Sequence, residues 1–349
     1  TDKTTAIILE KLKSQPNKVE TIFSKVFQGI ATSKDSVYFI MNCENDGTYI
    51  SGYSKEIDGN VKIEVGLVEP LLKGEQVHRY DKLNTLNYVI VPYTNEDGRI
   101  ELMSEEYIER NFPYGYSYLK QTESILRNRE RGRLLNDDFW FRYIYPKNLN
   151  LFPKKKLIAP EISLGSNFTY DPDGKFYHNT KVYSYLKNDN SSSPYESWLI
   201  ILNSCILWYY LMNTGYVLRG GYFTFKTNYL NPFPLPNPGP KTDEIAVSLV
   251  QYLTCIKTVD NTMFDFFNEV ADSIAFELYF KEEIKSANKE ILKHLEDLKP
   301  IDNNMTEEEK LAVIQSEFER LYHPSHPVRN AIETLDSIEE VRIIKEALK

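Results

Sequence analysis

NPFPLPNPGP, residues 231–240, is the stretch that divides this chain. Five prolines in ten residues exclude a helix interior and a central strand, because proline lacks the N–H and clashes with the preceding turn. The backbone here is extended and semi-rigid. Before it lie short β-branched and aromatic runs separated by turn residues; after it nearly everything has helical spacing. The contrast predicts an α+β chain: a helical linker at 1–20, a mixed β-sheet domain at 21–240 and a mostly α-helical domain at 241–349.

Working back from the prolines, 196–212 reads as a buried helix, and the loop and strand at 215–226 follow it. FTYDPDGKFYHNTKVYSYL (168–186) carries Asp171–Pro172–Asp173–Gly174 between aromatic runs, the pattern of a hairpin. KKLIAPEIS (155–163) and FWFRYIY (139–145) read as strands or loops. Residues 104–131 change period: Ser104 precedes Glu105 and Glu106 as at a helix start, and YSYLKQTESILRNRE continues it. NYVIVPY (87–93), VKIEVGLV (61–68) and VYFIM (37–41) alternate with Asn/Asp/Gly turns and predict sheet. TTAIILEKLK (4–13) predicts a short amphipathic helix ended by Gln15–Pro16. Beyond 240, helices are predicted over 242–258, 262–281, 282–298, 306–321 and 336–348.

The 349 residues carry 41 Lys and Arg against 50 Asp and Glu, a net charge of −9. That balance opposes a uniformly basic nucleic-acid binder, since phosphate contacts need cations. Location matters more than the sum. Basic clusters lie at Arg127–Arg133 and Lys154–Lys156, whereas Glu282, Glu283 and Glu307–Glu309 sit in the tail. Aromatic residues reach 13%, with 25 Tyr; these serve equally as core area and as stacking faces for bases. Three cysteines without metal or disulfide spacing fit a reducing cytoplasm. The most apolar run, Trp198–Met212, is shorter than the ~20 residues a bilayer requires, so no membrane partner is expected.

A catalytic constellation does not emerge. An adenine N-6 methyltransferase needs an Asn/Asp-Pro-Pro-Tyr/Phe turn and a glycine-bearing strand–turn for its methyl donor. Asn231–Pro232–Phe233–Pro234 lacks the adjacent prolines, and Gly220–Gly221 belongs to no nucleotide-binding pattern. Glu283–Ile284–Lys285 lies in a charged helix where a nuclease-like triplet arises by chance. His323 and His326 lack companions at ligand spacing, so no metal is expected. No Gly-x-Ser-x-Gly elbow occurs.

Two binding signals remain. Arg127, Arg129, Arg131 and Arg133 stand near a helix end, where they favour the C-terminus electrostatically or reach phosphates. Arg219–Gly220–Gly221–Tyr222–Phe223–Thr224–Phe225–Lys226 combines close backbone approach with cations and aromatic faces. It also reads as a tight turn into a strand.

Taken in order, several segments resemble the TaqI-like C-terminal specificity domain of Eco57I-type restriction enzymes with fused adenine methyltransferases. VFQGIATSKD (26–35) resembles that family's Gly-Ile-x-Thr-Gly opening, with Ser33 where glycine is usual. LLKGEQVHRY (71–80), YVIVPY (88–93), KLIAPEIS (156–163) and YDPDG (170–174) follow. Leu202–Asn203–Ser204 and Arg219–Gly220–Gly221–Tyr222–Phe223 then run into Asn231–Pro232–Phe233–Pro234. The similarity covers about 26–236, and Phe276–Phe280 is similar to the helical ending of such proteins.

The resemblance implies a double-stranded DNA recognition module whose catalytic partner, a linked or associated methyltransferase domain, binds S-adenosylmethionine; this chain itself holds no cofactor. Residues 1–20 would be the linker from that domain. The family supplies no residue-level code, so candidates rest on chemistry and position. Lys34, Arg127, Arg131, Lys155, Lys156, Arg219 and Lys226 are expected at phosphates or bases. Ser163, Asn167, His178 and Tyr222 are expected to read bases. Two rival readings stand beside this one: a stand-alone specificity or scaffold subunit whose helical tail binds a partner protein, and an enzyme acting alone.

Overall fold

The computed structural model describes residues 2–349; Thr1, the first residue of the expected linker, lies outside them. The chain is α+β, as its pattern predicts. Six strands form one sheet in the order Tyr177–His178, Val68–Leu72, Tyr88–Ile90, Phe39–Asn45, Tyr49–Ser54, Gly59–Glu64. Only the first pairing is parallel. A second, antiparallel sheet has the order Thr169–Asp171, Lys156–Pro160, Val182–Lys187, Phe23–Gln28.

Three sequence expectations are corrected. The Asp171–Gly174 turn forms, with Gly174 at φ 61, but it does not close a hairpin. Thr169–Asp171 pairs with Lys156–Pro160, and Tyr177–His178 crosses to the other sheet beside Val68–Leu72. Of the two readings of 139–145, strand or loop, the loop holds, and its aromatics fill the core. Trp140, Phe141 and Tyr143 are buried, and the Tyr143 hydroxyl donates to the Ile90 carbonyl. The helical stretch 104–131 breaks into Glu105–Asn111, Pro113–Gln121, Glu123–Arg127 and Arg129–Gly132. Pro113 starts the second piece, where its missing N–H costs nothing, and Glu130 and Arg131 adopt positive φ inside the last. In the tail, 282–298 is helical only at Lys281–Ser286 and a single 3-10 turn, while Pro327–Glu333 is a helix the periodicity did not reveal.

The buried run at 196–212 is two helices, Tyr195–Leu202 and Cys205–Thr214. Asn203 causes the break. Its amide accepts from the Phe168 N–H at 2.8 Å and donates to the Phe168 carbonyl at 3.0 Å, which satisfies buried backbone that no strand partner serves.

Packing continues across Pro240. Leu157 and Tyr185 of the four-stranded sheet, and Phe168 just before its edge strand, share one core with Trp198, Ile201 and Leu211, and with Leu249, Phe267 and Ile274 of the helices Pro240–Ile256 and Asn261–Tyr279. A second core lies between the six-stranded sheet and the 105–132 helices, around Tyr38, Ile63, Val89, Leu119 and Phe152. The helix Lys3–Lys13 is capped by Asp2 and buries Ile8, Leu9 and Leu12. Its Lys11 bridges Glu283 at 2.8 Å and Glu340 at 2.5 Å. Just after it, Asn17–Lys18 pairs with Pro234–Leu235, so the proline-rich stretch works as an edge strand, where a missing N–H is tolerated.

Candidate nucleic-acid interface

Ile162–Ser163 and Phe223–Thr224 form a two-stranded antiparallel arm, with Ile162 opposite Thr224 and Ser163 opposite Phe223. Phe223 and Phe225 are buried and anchor it, and the Phe225 N–H donates to the Glu161 carbonyl at 2.7 Å. Beyond the strands the chain turns back on itself. Leu218 N–H donates to the Tyr222 carbonyl at 2.7 Å, and Gly221 N–H to the Leu218 carbonyl at 3.2 Å. Gly220 and Gly221 stand at φ 83 and 80, a left-handed conformation that side-chain-bearing residues adopt only at a cost. The two alternative readings of this segment are therefore one object: the tight turn presents Arg219 and Tyr222 to solvent.

The arm is apolar as well as cationic. Ile162, Leu164, Tyr216, Val217 and Tyr222 are 44–58% exposed, and Leu164 Cδ1 lies 3.9 Å from the position a Cβ on Gly221 would take. Clustered exposed apolar side chains mark contact surfaces. Lys226 at the base is exposed, 3.8 Å from Glu161. Ser163 and Asn167 sit at the root. Asn167 Nδ2 donates to Ser163 Oγ at 2.6 Å, and its Oδ1 accepts from the Arg79 N–H at 3.1 Å. These bonds brace the arm. Ser163 is buried, so a base-reading role for it is not what this conformation supports.

Lys34 lines a second place, a shallow depression, with Ser33, Ser124, Asn128, Arg129 and Glu130; Arg127 and Arg131 flank these residues in sequence. Arg131 is exposed with φ 62. Lys34 lies 3.7 Å from Glu56. Arg127 is engaged within the fold: its guanidinium donates to Glu123 at 2.9 Å and to the carbonyls of Leu134, Leu135 and Asp137. Arg129 is buried and donates to the carbonyls of Leu126, Thr32, Trp140 and Arg142. Two of the alternating arginines thus tie loops together, as planar five-donor groups do well.

Lys155 is exposed, but its neighbour is a correction. Lys156 is buried; its Nζ lies 2.7 Å from Asp171 Oδ2 and donates to the Phe152 carbonyl at 2.5 Å. A phosphate cannot reach it. His178 is likewise buried, with Nε2 against Ser184 Oγ. Burial, helped by the charge of Lys156, pushes its imidazole down to about 3. It is neutral at any physiological pH and reaches no base. Sequence reasoning marked Arg219, Tyr222 and Lys226 but missed Leu164, Tyr216 and Val217, which no periodicity distinguishes from core residues.

Asn231–Phe233 is structural: Phe233 is buried against Tyr210 and Tyr279. Among the described residues no group of three His, Cys, Asp or Glu is placed to hold a metal, and no helix is long and apolar enough to cross a membrane.

Residues 69–235 match the TaqI-like C-terminal specificity domain. The match covers just under half of the chain. Both strands of the arm and the glycine turn that precedes Phe223 fall inside it. Over 223 residues, 63% of this chain and 34% of the relative, the sequence is 24% identical to the type II methyltransferase M.BstVI of Geobacillus stearothermophilus. It is 25% identical over 326 residues, 87% of this chain and 32% of the relative, to the type II restriction enzyme and methyltransferase RM.Eco57I of Escherichia coli. The type II methyltransferase M.BanIII of Aneurinibacillus aneurinilyticus is 20% identical over 231 residues, 66% of this chain and 39% of the relative. The chain thus spans about a third of the length of these relatives. Beyond the specificity domain, the alignment with the Escherichia coli enzyme takes in much of what the helices build.

Proposed function

We propose that the chain is the double-stranded DNA recognition module of a restriction–modification enzyme, positioning DNA for an adenine methyltransferase domain outside these residues. The observation that carries this reading is the arm: a glycine turn that presents Arg219 and Tyr222 to solvent within the stretch matching a specificity domain, with apolar side chains beside them. Guanidinium forks suit guanine edges, and an apolar contact suits the thymine methyl in the major groove. Arg131, Lys34, Lys155 and Lys226 are proposed to set register on phosphates without carrying sequence information. S-Adenosylmethionine belongs, in this proposal, to the catalytic domain; the residues here act on DNA alone.

The scaffold alternative is less well supported, because the helices beyond 240 use their apolar faces in the shared core under the arm. They buttress the specificity domain. Selection of sequences from a randomised duplex pool, read at low and moderate salt, tests the proposal. Enrichment of a short motif, with affinity falling as salt rises, is the expected result; the absence of any enriched motif sinks it.

A further inference from the structure

Between the root of the arm and the C-terminal helices lies a cleft of about 280 Å³. One wall is the half-buried indole of Trp208, whose ring lies over Gly165; a Cβ there would stand 3.1 Å from it. Ser166 is 5% exposed, and its Oγ has no hydrogen-bond partner among the described residues. Arg79 Nε and Trp208 Nε1 are buried and unpartnered in the same way. Three orphaned donors lining one cleft are exceptional, since buried polar groups are nearly always satisfied. The same cleft is lined by Lys345 and by Asp272, one carboxylate oxygen of which accepts from the Cys205 N–H at 3.2 Å.

The lining selects the ligand. Arg79 and Lys345 line the cleft beside Asp272, so it offers charges of both signs, and an aliphatic ligand would leave the donors unpaired. A planar heterocycle fits: ring acceptors meet the donors, an exocyclic amino group meets the carboxylate, and the ring stacks on indole. Leu164–Asn167 belong to the cleft and continue directly from the arm strand Ile162–Ser163, so a base leaving a duplex held by the arm would be close to its mouth. We infer that this cleft receives an extruded nucleobase bearing an exocyclic amino group. The choice of a base as ligand rests on the DNA-recognition reading. Thymine, without an amino group, is the base it discriminates against.

The full chain can be titrated with deoxycytidine, deoxyadenosine, deoxyguanosine and thymidine while indole emission is followed. Trp140 and Trp198 are fully buried, so a cleft ligand acts on Trp208. Saturable quenching by at least one amino-bearing deoxynucleoside is expected, absent in Trp208→Phe. Ser166→Ala, a small change whose folding circular dichroism checks, should weaken the interaction about tenfold, the effect of one lost hydrogen bond. No saturable quenching, quenching that survives in Trp208→Phe, or thymidine binding as well as the others overturns the inference. Duplex-pool selection separates the two readings. An enriched motif without quenching removes the cleft alone, whereas quenching without any enriched motif removes DNA recognition and leaves a base-binding cleft.

Discussion

Lys156 Nζ lies 2.7 Å from Asp171 Oδ2, with neither side chain more than 1% exposed. The pair joins two strands of the four-stranded sheet, where Lys156 and Asp171 stand opposite each other. Asp171 also accepts from the N–H groups of Lys175 and Phe176, both at 3.0 Å, and so holds the turn as well. Removing one partner leaves a buried charge uncompensated. Lys156→Met is expected to cost about 3–5 kcal/mol, measured by urea denaturation. Lys156→Met together with Asp171→Asn should be milder than the single change. A single change within about 0.5 kcal/mol of wild type, the level of ordinary surface substitutions, would return Lys156 to the list of DNA contacts.

His178 makes stability pH-dependent with a definite sign. Its folded pKa, about 3, lies below the ordinary 6.5, so the unfolded chain binds this proton first as pH falls. The contribution is complete above about 6.5 and is lost progressively toward 3, by up to about 5 kcal/mol. Glu69 runs the other way: burial raises its carboxyl to about 7 from 4.5, so its contribution is full below about 4.5 and fades as pH rises through 7. His178→Phe should flatten the acid side of a stability–pH profile, and Glu69→Gln should raise stability at pH 8. Parallel profiles for wild type and His178→Phe between pH 4 and 6.5 would show that the imidazole is not buried neutral.

Ser33 has φ 63, at the position where the resembling family usually carries glycine. A side chain in the left-handed region is strained by about 1–2 kcal/mol, and glycine's greater unfolded-state entropy offsets part of this. Ser33→Gly is therefore expected to stabilise by roughly 0.5–1 kcal/mol, seen as a raised thermal midpoint. A lowered midpoint would mean that the serine makes a compensating contact.

On the arm, Arg219→Ala should lower affinity for a selected duplex by about 1–3 kcal/mol and relax preference at one position. Arg131→Ala should weaken all duplexes alike and reduce the salt slope by about one. Filter binding across salt concentrations distinguishes the two. Equal, sequence-independent losses for both would make the arm a phosphate clamp rather than a reader.

Much of this architecture was legible from residues 1–349 taken as a string. The glycine pair before Tyr222, the proline run and the order of family-like segments pointed to the tight turn at 219–222 and to the change from sheet to helix, because backbone restrictions at Gly and Pro are local. What tertiary structure alone decided was the fate of charged and aromatic side chains. Lys155 and Lys156 are adjacent in sequence, yet Lys155 precedes the strand and is exposed, while Lys156 opens the buried strand and meets Asp171. Asp171–Gly174 forms its predicted turn, but Thr169–Asp171 pairs with Lys156–Ile158 in one sheet, whereas Tyr177–His178 pairs in the other sheet with Leu71–Leu72, far back in the chain. Arg127 and Arg129 carry the same charge as Arg131, and only the carbonyls folded around them distinguish structural ties from an exposed cation. Likewise the cleft at Ser166 and Trp208 draws Arg79, Asp272 and Lys345 from distant parts of the chain, a juxtaposition created by the core that runs past Pro240.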